Sequence, residues 1–551
     1  MSMSGFFLRL SCLFVLSFSV CSTSPEDHIK CSSSNNTDCT ITNAYGIFPD
    51  RTVCKVRGVT YPNSEEELVS TVAYGSKYKI PMKASTRYAH SIPKLACPRG
   101  EEGLIISTKN LNRVVGINVQ ELTMTVESGM TLRQVIGEAA KVGLALPYTP
   151  YWWGVSLGGL LATGAHGSTL WGKGSGVHDY VVGLRIVSPG GPQDGYAKVT
   201  LSLQPMFKRS ITYLSEGDSD LGDQALNFGK QHEFADIIWY PSQHRAVYRI
   251  DDRVSSDTSG DGLYDFIPFR PTPSLALAAI RTTEETQESM NDANGKCYSA
   301  KLVTSGLLAS AYGLTNDGLI FTGYPVIGYQ NRIQSSGTCL DSLDDAKITA
   351  CPWDSGVKGE LFHQTAVSIS LSLAKNFIQD VQKLVEIAPE SLCGTEIYNG
   401  FLMRYVTAST AYLGKQEDAL DFDITYYRSR DPMTPRLYEG ILEEIEQLAL
   451  FKYGALPHWG KNRNIAFDGV IKKYKKGEEF LRVKDVYDPI GLFSNEWSDQ
   501  VLGIKGGVTV AKEGCALEGL CICSEDIHCA PSKGYFCRPG KVFRDARVCA
   551  P

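Results

Sequence analysis

Ser156-Leu157-Gly158-Gly159-Leu160-Leu161-Ala162-Thr163-Gly164-Ala165-His166-Gly167-Ser168 is the stretch on which the reading of this chain turns. It lies within Gly154–Gly176, which holds eight glycines where the chain average would place about two. Glycine at that density forfeits backbone order, so the chain requires close approach or positive φ there. Two readings follow. One is a pair of tight turns linking apolar strands. The other is a concavity of exposed N–H groups suited to a phosphate-bearing ligand.

Length and charge bound the alternatives. The 551 residues provide for two to four domains, and 43% hydrophobic with 21% charged residues is ordinary for a globular chain. A net charge of −6 leaves no basic footprint for nucleic acid. Arg9 precedes the apolar run Leu10 to Val20, and Cys21-Ser22-Thr23-Ser24 follows, as in a cleaved secretory signal over residues 1–24. The run is too short to span a bilayer, and no later segment is long enough. Of the 16 cysteines, Cys12 and Cys21 would leave with the signal. The even remainder and the sequon Asn35-Asn36-Thr37 predict a secreted, disulfide-bearing glycoprotein, in a cell wall or vacuole if not outside the cell.

Along the chain the pattern is α+β. Asn63 or Ser64 can cap a helix with an acidic first turn, Glu65-Glu66-Glu67. Ile80–Ala84, Gly103–Ser107 and Leu122–Glu127 read as strands, the last alternating with period two. Thr131 can cap a helix from Leu132 to Val142 that Gly143 ends, and Tyr180–Val187 is an apolar strand. No G-x-G-x-x-G follows a first strand, which excludes a Rossmann unit. Beyond Met206, residues 270–320 read as mainly helical, and Ala366–Ile387 carries apolar residues at helical spacing. Phe401–Val406 and Phe422–Tyr427 read as strands, and Leu437–Leu450 as an acidic amphipathic helix. Cys515 to Cys549 packs six cysteines into a segment too short for a core, which predicts about three disulfides rather than a zinc site.

Several ordered motifs carry a resemblance. They are Asn112-Arg113-Val114-Val115, Glu127-Ser128-Gly129-Met130-Thr131-Leu132, Gly143-Leu144-Ala145-Leu146-Pro147, Gly158-Gly159 with Thr163-Gly164 and His166-Gly167, and the turn Asp488-Pro489-Ile490-Gly491-Leu492-Phe493-Ser494-Asn495. The chain from about 55 to 500 resembles FAD-linked oxidases of the vanillyl-alcohol-oxidase type, in the sugar-lactone oxidase branch, and most closely plant L-gulonolactone-oxidase-like proteins.

The resemblance implies a two-part FAD-binding domain over 57–205 and an α+β substrate cap over 206–500, flanked by a Cys-bearing segment at 25–56 and a disulfide-rich tail at 501–551. FAD would be held by Ser85, Thr86, Arg87, His90, Ser91, Ser156, Gly158, Gly159, Thr163, Gly164, His166, Gly167 and Val182. His90 would bond covalently to the flavin by this resemblance; its position alone instead favours a surface loop histidine hydrogen-bonded to backbone. Arg404 would grip a hydroxylated lactone with its planar fork. Lys461, in Pro457-His458-Trp459-Gly460-Lys461, would stabilise negative charge. His458 and Glu396 are candidate bases. The implied reaction is oxidation of L-gulono-1,4-lactone towards L-ascorbate, with oxygen or another acceptor. The alternatives are another alditol or carbohydrate, or a flavin-deficient secreted non-enzyme.

Three departures stand out. The loop Ala84-Ser85-Thr86-Arg87-Tyr88-Ala89 lacks glycine. After Ser188 the sequence reads as a simple hairpin where the family has about thirty more residues, so a wall of the flavin site is expected to be missing. Leu402 stands where relatives carry a glutamate two residues before the arginine, leaving no carboxylate at that spacing.

Overall fold

Five short strands come first among the described residues: β1 (Ile29–Cys31), β2 (Thr37–Ile41), β3 (Cys54–Thr60), β4 (Met82–Ser85) and β5 (Leu104–Ser107), in the order β1-β2-β3-β5-β4. Helix α1 (Glu65–Lys77) carries the chain from β3 towards β4, and both of these strands run parallel to β5. Ser64 caps α1 by accepting from the Glu67 N–H at 3.3 Å, and three glutamates fill the first turn, where the helix dipole favours them. The described strands of the N-terminal Cys-bearing segment belong to this sheet, pinned by Cys31–Cys39 and Cys54–Cys97. The computed structural model describes residues 29–41, 53–85, 93–189, 198–266, 273–333, 361–429, 431 and 433–551.

A second sheet contains β6 (Val114–Asn118), β7 (Thr123–Glu127), β8 (Val181–Arg185) and β9 (Lys198–Ser202), ordered β6-β7-β9-β8. Helix α2 (Leu132–Lys141) packs Leu132, Val135 and Ala139 onto Met124, Val126, Val199 and Leu201. Thr131 and Gln134 close a capping box at its start. The hairpin expected after Ser188 exists, since β8 and β9 pair antiparallel. However, β9 also pairs along its whole length with β7. It is therefore an inner strand, and Val199 and Leu201 complete the core rather than leaving the sheet open.

The third unit is built on an eight-stranded sheet. Its strands are β10 (Lys208–Gly217), β11 (Asp236–Tyr240), β12 (Arg245–Val254), β13 (Val326–Tyr329), β14 (Leu361–Ser370), β15 (Phe401–Val406), β16 (Ala419–Arg428) and β17 (Leu456–Pro457), in the order β13-β10-β12-β11-β15-β16-β14-β17. Helices α4 (Leu221–Gln231) and α7 (Leu371–Ile387) contribute Leu221, Ala225, Phe377, Val381 and Leu384 to the largest core. Each of the larger side chains gains about 1.5–3 kcal/mol from burial. Residues 270–320 hold α5 (Pro273–Ser289) and α6 (Ala293–Ala309), as expected. The helical reading of Ala366–Ile387 is corrected: the segment is strand up to Ser370 and helix only from Leu371. Thr365, Ala366, Val367, Ser368 and Ile369 are all buried, so this strand is covered on both faces and shows no period of two.

The acidic helix is α8 (Glu439–Gln447), which receives the C-terminal module. That module contains β18 (Phe536–Pro539) and β19 (Arg547–Ala550) and three disulfides, Cys515–Cys521, Cys523–Cys537 and Cys529–Cys549. Within the cap, Cys297–Cys393 ties α6 to the segment that precedes β15. The closing turn after Asp488 returns to the first sheet: Met82 N donates to the Leu492 carbonyl and Lys83 Nζ to that of Phe493. No helix among the described residues is long and apolar enough to cross a membrane.

Candidate active site

The Gly-rich run is not a pair of turns between strands. Leu157–Thr163 forms a short helix, α3, capped by Ser156 Oγ, which accepts from Gly159 N at 3.4 Å. Gly164, in the left-handed region at φ 64°, ends it. The chain then runs beside β15. Thr169 N donates to the Tyr405 carbonyl, Tyr405 N donates to Ser168 Oγ, and Ser175 N donates to Thr407 Oγ1, all within 2.9–3.0 Å. A Cβ at Gly167 would lie 2.7 Å from the Thr149 carbonyl oxygen, so glycine is what lets these backbones meet. Gly460 is similarly close to Thr163, with only 3.1 Å left for a Cβ. The predicted Gly-rich and His-Trp-Gly-Lys motifs thus come together across the boundary between the expected flavin-binding unit and the expected cap.

At this junction the cap sheet presents a row of alternating charge. Strand register places Arg249 opposite Asp236, Asp236 opposite Arg404, and Arg404 opposite Asp421. The ion pairs Arg249–Asp236 and Arg404–Asp421 measure 2.6 and 2.8 Å, with all four side chains almost fully buried. Arg404 also reaches Asp423 at 3.1 Å, and Lys461 Nζ pairs with the same carboxylate. Tyr151, just before the Gly-rich run, donates its hydroxyl proton to Asp236, and its ring centre lies 5.9 Å from the Arg404 guanidinium.

Two imidazoles face this cluster, with ring centres 5.6 Å apart. The Gly167 carbonyl can only accept, so its 2.9 Å contact fixes the proton of His166 on Nδ1. His166 Nε2 is therefore a bare lone pair. It is buried, has no hydrogen-bond partner among the described residues, and lies 3.8 Å from Asp421 Oδ2. His458 has the opposite tautomer, because its Nδ1 accepts from Gly460 N at 3.0 Å and leaves the proton on Nε2. Burial, reinforced by Arg404, lowers His166 to about 3. Burial and the neighbouring Lys461 ammonium lower His458 well below the usual range. Lys461 is itself lowered by burial, against the opposing pull of Asp423. Lys415, in the β15–β16 connection, is lowered by burial to about 8.

The predicted residues distribute as follows. Arg404, His458, Lys461, His166, Gly167, Thr163 and Gly164 meet at the junction, and Ser156, Gly158 and Gly159 form the first turn of α3. Ser85 is buried at the end of β4. Val182 is 57% exposed on β8, and Leu184, 54% exposed, points the same way two residues on. Thr86, Arg87, His90 and Ser91 lie outside the described residues. Glu396 does not join the cluster. It is buried against Ser242 and Gln243, and burial raises it to about 7.

Sequence reasoning missed the two aspartates. No carboxylate stands two residues before Arg404, but strand register supplies one from next door: Asp423 sits directly opposite Leu402. The alternation Asp421-Phe422-Asp423 between the apolar Leu420 and Ile424 was the available signal.

The residues between the sheets suit a flavin nucleotide. Ser128 Oγ is buried without a partner among the described residues. A Cβ at Gly158 would press to 3.2 Å on Ser128, and one at Gly129 to 1.9 Å on the Thr108 carbonyl oxygen. The exposed Val182 and Leu184 side chains offer an apolar face for a ring system. Ser85, Ser128, Val182 and the Gly-rich backbone are the groups that would hold it.

Residues 56–193 match the family described as FAD binding domain, and residues 360–501 that described as D-arabinono-1,4-lactone oxidase. Residues 512–551 match the L-gulonolactone oxidase 2-like C-terminal domain. The fold is shared with a solvent-stable cholesterol oxidase, 14% identical, at a TM-score of 0.62 over 87% of this chain and 100% of that one. Fold and matched domains define an FAD-dependent oxidoreductase of the vanillyl-alcohol-oxidase type. Probable L-gulonolactone oxidase 6 of Arabidopsis thaliana is 62% identical over 98% of this chain and 94% of its own length. L-gulonolactone oxidase 2 of the same plant is 60% identical over 98% and 95%. The chain belongs to the L-gulonolactone oxidase family.

Proposed function

We propose that this protein oxidises a sugar 1,4-lactone, L-gulono-1,4-lactone first, with FAD as cofactor and oxygen as acceptor, in a step towards L-ascorbate. The observation that carries this reading is the buried Arg404–Asp423–Lys461 cluster, set against the Gly-rich loop of the flavin domain. Bound FAD supplies a two-electron acceptor for the hydrogen leaving the carbinol carbon. The chain's own groups bind and orient. Arg404 and Lys461 place positive charge where a lactone oxygen gains negative charge. His458 Nε2–H is a donor for a ring or hydroxyl oxygen, and His166 Nε2 is an acceptor into which a substrate hydroxyl can donate. The exposed apolar side chains of Val182 and Leu184, and the buried Ser128 Oγ that has no partner among the described residues, support the flavin's place; covalent attachment through His90 is part of the same proposal.

The test is direct. Purified protein should be yellow, keep its flavin through acid precipitation, and release peroxide with L-gulono-1,4-lactone in preference to a panel of alditols. His90→Ala should yield protein whose flavin is lost on precipitation. A folded, colourless protein that takes up no FAD would overturn the reading.

We also infer entry into the secretory route, with cleavage near residue 24 and glycosylation at Asn35. The exposed position of Asn35 and the six disulfides among the described residues support it. A mobility shift on glycosidase treatment, absent in Asn35→Gln, is the check.

A further inference from the structure

The C-terminal module grips the cap at one edge and the Lys461 segment at another. On α8, Glu444 accepts from the backbone N–H groups of Lys541, Val542 and Phe543, each at 2.7 Å, and Glu443 accepts from Cys549 N at 2.7 Å. Gln447 exchanges two hydrogen bonds with the Arg547 backbone. Gly440 permits the approach, since a Cβ there would stand 2.7 Å from the Cys549 carbonyl oxygen. These contacts seat the module as one rigid, disulfide-closed body.

From that seat the loop closed by Cys515–Cys521 reaches the segment that carries Lys461. Arg463 Nη1 points to the Leu517 carbonyl at 3.4 Å, and Ile465 N donates to the Gly519 carbonyl at 3.2 Å. The Arg463 side chain lies so close over Gly519 that a Cβ would meet its Cδ at 2.3 Å. The guanidinium is buried and paired with Glu446, which also accepts from Thr365 Oγ1 at 2.8 Å. Between Lys461 and Arg463, Asn462 bonds to the Ala366 backbone in both directions, at 2.8 and 2.9 Å. One side of this short segment is therefore fixed to β14 and the other to the tail.

We propose that the Cys515–Cys521 loop sets the position of Lys461 through Arg463, which makes Arg463 a positioning residue and the module a working part of the catalytic unit. This rests on the function proposed above for Lys461. A misplacement of about 1 Å at a reacting group can cost roughly 100-fold in rate, so a small shift of Arg463 is enough to register.

The test uses the whole protein and Gly519→Ala, combined with Lys461→Met in a double-mutant cycle. Gly519→Ala should lower kcat/KM for the lactone roughly 10- to 100-fold with flavin content unchanged, and by less than about 2-fold when Lys461 is already Met. Equal losses in both backgrounds, or none in the native one, would overturn the proposal. A second readout needs no turnover. Brief acylation with an amine-specific reagent, mapped by peptide mass, should label Lys461 several-fold faster in Gly519→Ala than in the native protein, with the exposed Lys141 unchanged as reference. Unchanged Lys461 labelling overturns it. Should Gly519→Ala not fold, Arg463→Lys replaces it under the same criteria. A native protein that turns over no lactone sinks the functional reading, while the labelling result still decides this one.

Discussion

Arg404 donates from Nη1 to the backbone carbonyl of His166 at 3.2 Å, across the boundary between cap and flavin domain. Its Nη2 meanwhile bridges Asp421 and Asp423, at 2.8 and 3.1 Å. One guanidinium therefore fixes the Gly-rich loop to the floor of the cap and joins both to the carboxylate that holds Lys461. Arginine can do this because its donors form a rigid, planar fork.

Arg404→Ala leaves Asp421 buried without its paired cation and Asp423 with Lys461 alone, and the fold should lose about 3–5 kcal/mol. Arg404→Lys keeps the charge but cannot span His166 and the aspartates together. It should fold with most of its stability and lose roughly 100-fold in kcat/KM. Urea unfolding and steady-state kinetics separate the two effects. A lysine variant within twofold of native activity would show that the fork is not needed.

Asp423→Asn removes the carboxylate that opposes the effect of burial on Lys461. The ammonium then faces Arg404 and His458 with Asp421 as the remaining nearby anion, and its pKa must fall further. Because the proposed role needs a charged lysine, the basic limb of the kcat profile should move to lower pH. A profile that stays in place, or moves up, would remove Lys461 from the chemistry.

Much of this arrangement is legible in the sequence alone. Ser64 and Thr131 announce their helices because a side-chain oxygen can satisfy an N-terminal N–H, and both cap as their positions predict. The residues of the Gly-rich and His-Trp-Gly-Lys motifs stand out because local geometry constrains their types. What stays hidden depends on register between distant strands. Asp423 gains meaning only opposite Leu402, and β9 closes its sheet only because it pairs with β7, far earlier in the chain. The helical reading of Ala366–Ile387 fails for a related reason: a strand buried on both faces loses the alternation that distinguishes it from a helix.

The two buried imidazoles should make the fold acid-sensitive. His166 is lowered to about 3 in the folded state from an ordinary value of about 6.5. Between those values the unfolded chain binds a proton that the folded chain refuses. The contribution is present above about pH 6.5 and is lost as pH falls towards 3, at up to about 1.4 kcal/mol per pH unit. His458 acts in the same direction. His166→Asn keeps a donor for the Gly167 carbonyl but no group that titrates. Urea midpoints at pH 7 and pH 4.5 should therefore differ less in the variant than in the native protein. Equal pH dependence would place the acid-sensitive groups elsewhere.

Gly164 and Gly167 separate two kinds of requirement for glycine within one loop. Gly164 sits at φ 64° with open space where a Cβ would go, so alanine there costs only the left-handed backbone, about 1–2 kcal/mol. Gly167 has no positive φ but has the Thr149 carbonyl 2.7 Å from the would-be Cβ. Alanine at 167 must push the loop off Thr149, strain its 2.8 Å hydrogen bond to the Ser175 carbonyl and shift the adjacent His166 carbonyl away from Arg404. Gly164→Ala should lower the melting temperature yet retain flavin and turnover. Gly167→Ala should lose kcat/KM and flavin retention out of proportion to its roughly 1–3 kcal/mol of overpacking. Thermal melts beside flavin absorbance decide the matter, and two variants that lose stability and flavin in the same ratio would mean that the loop acts only as structure.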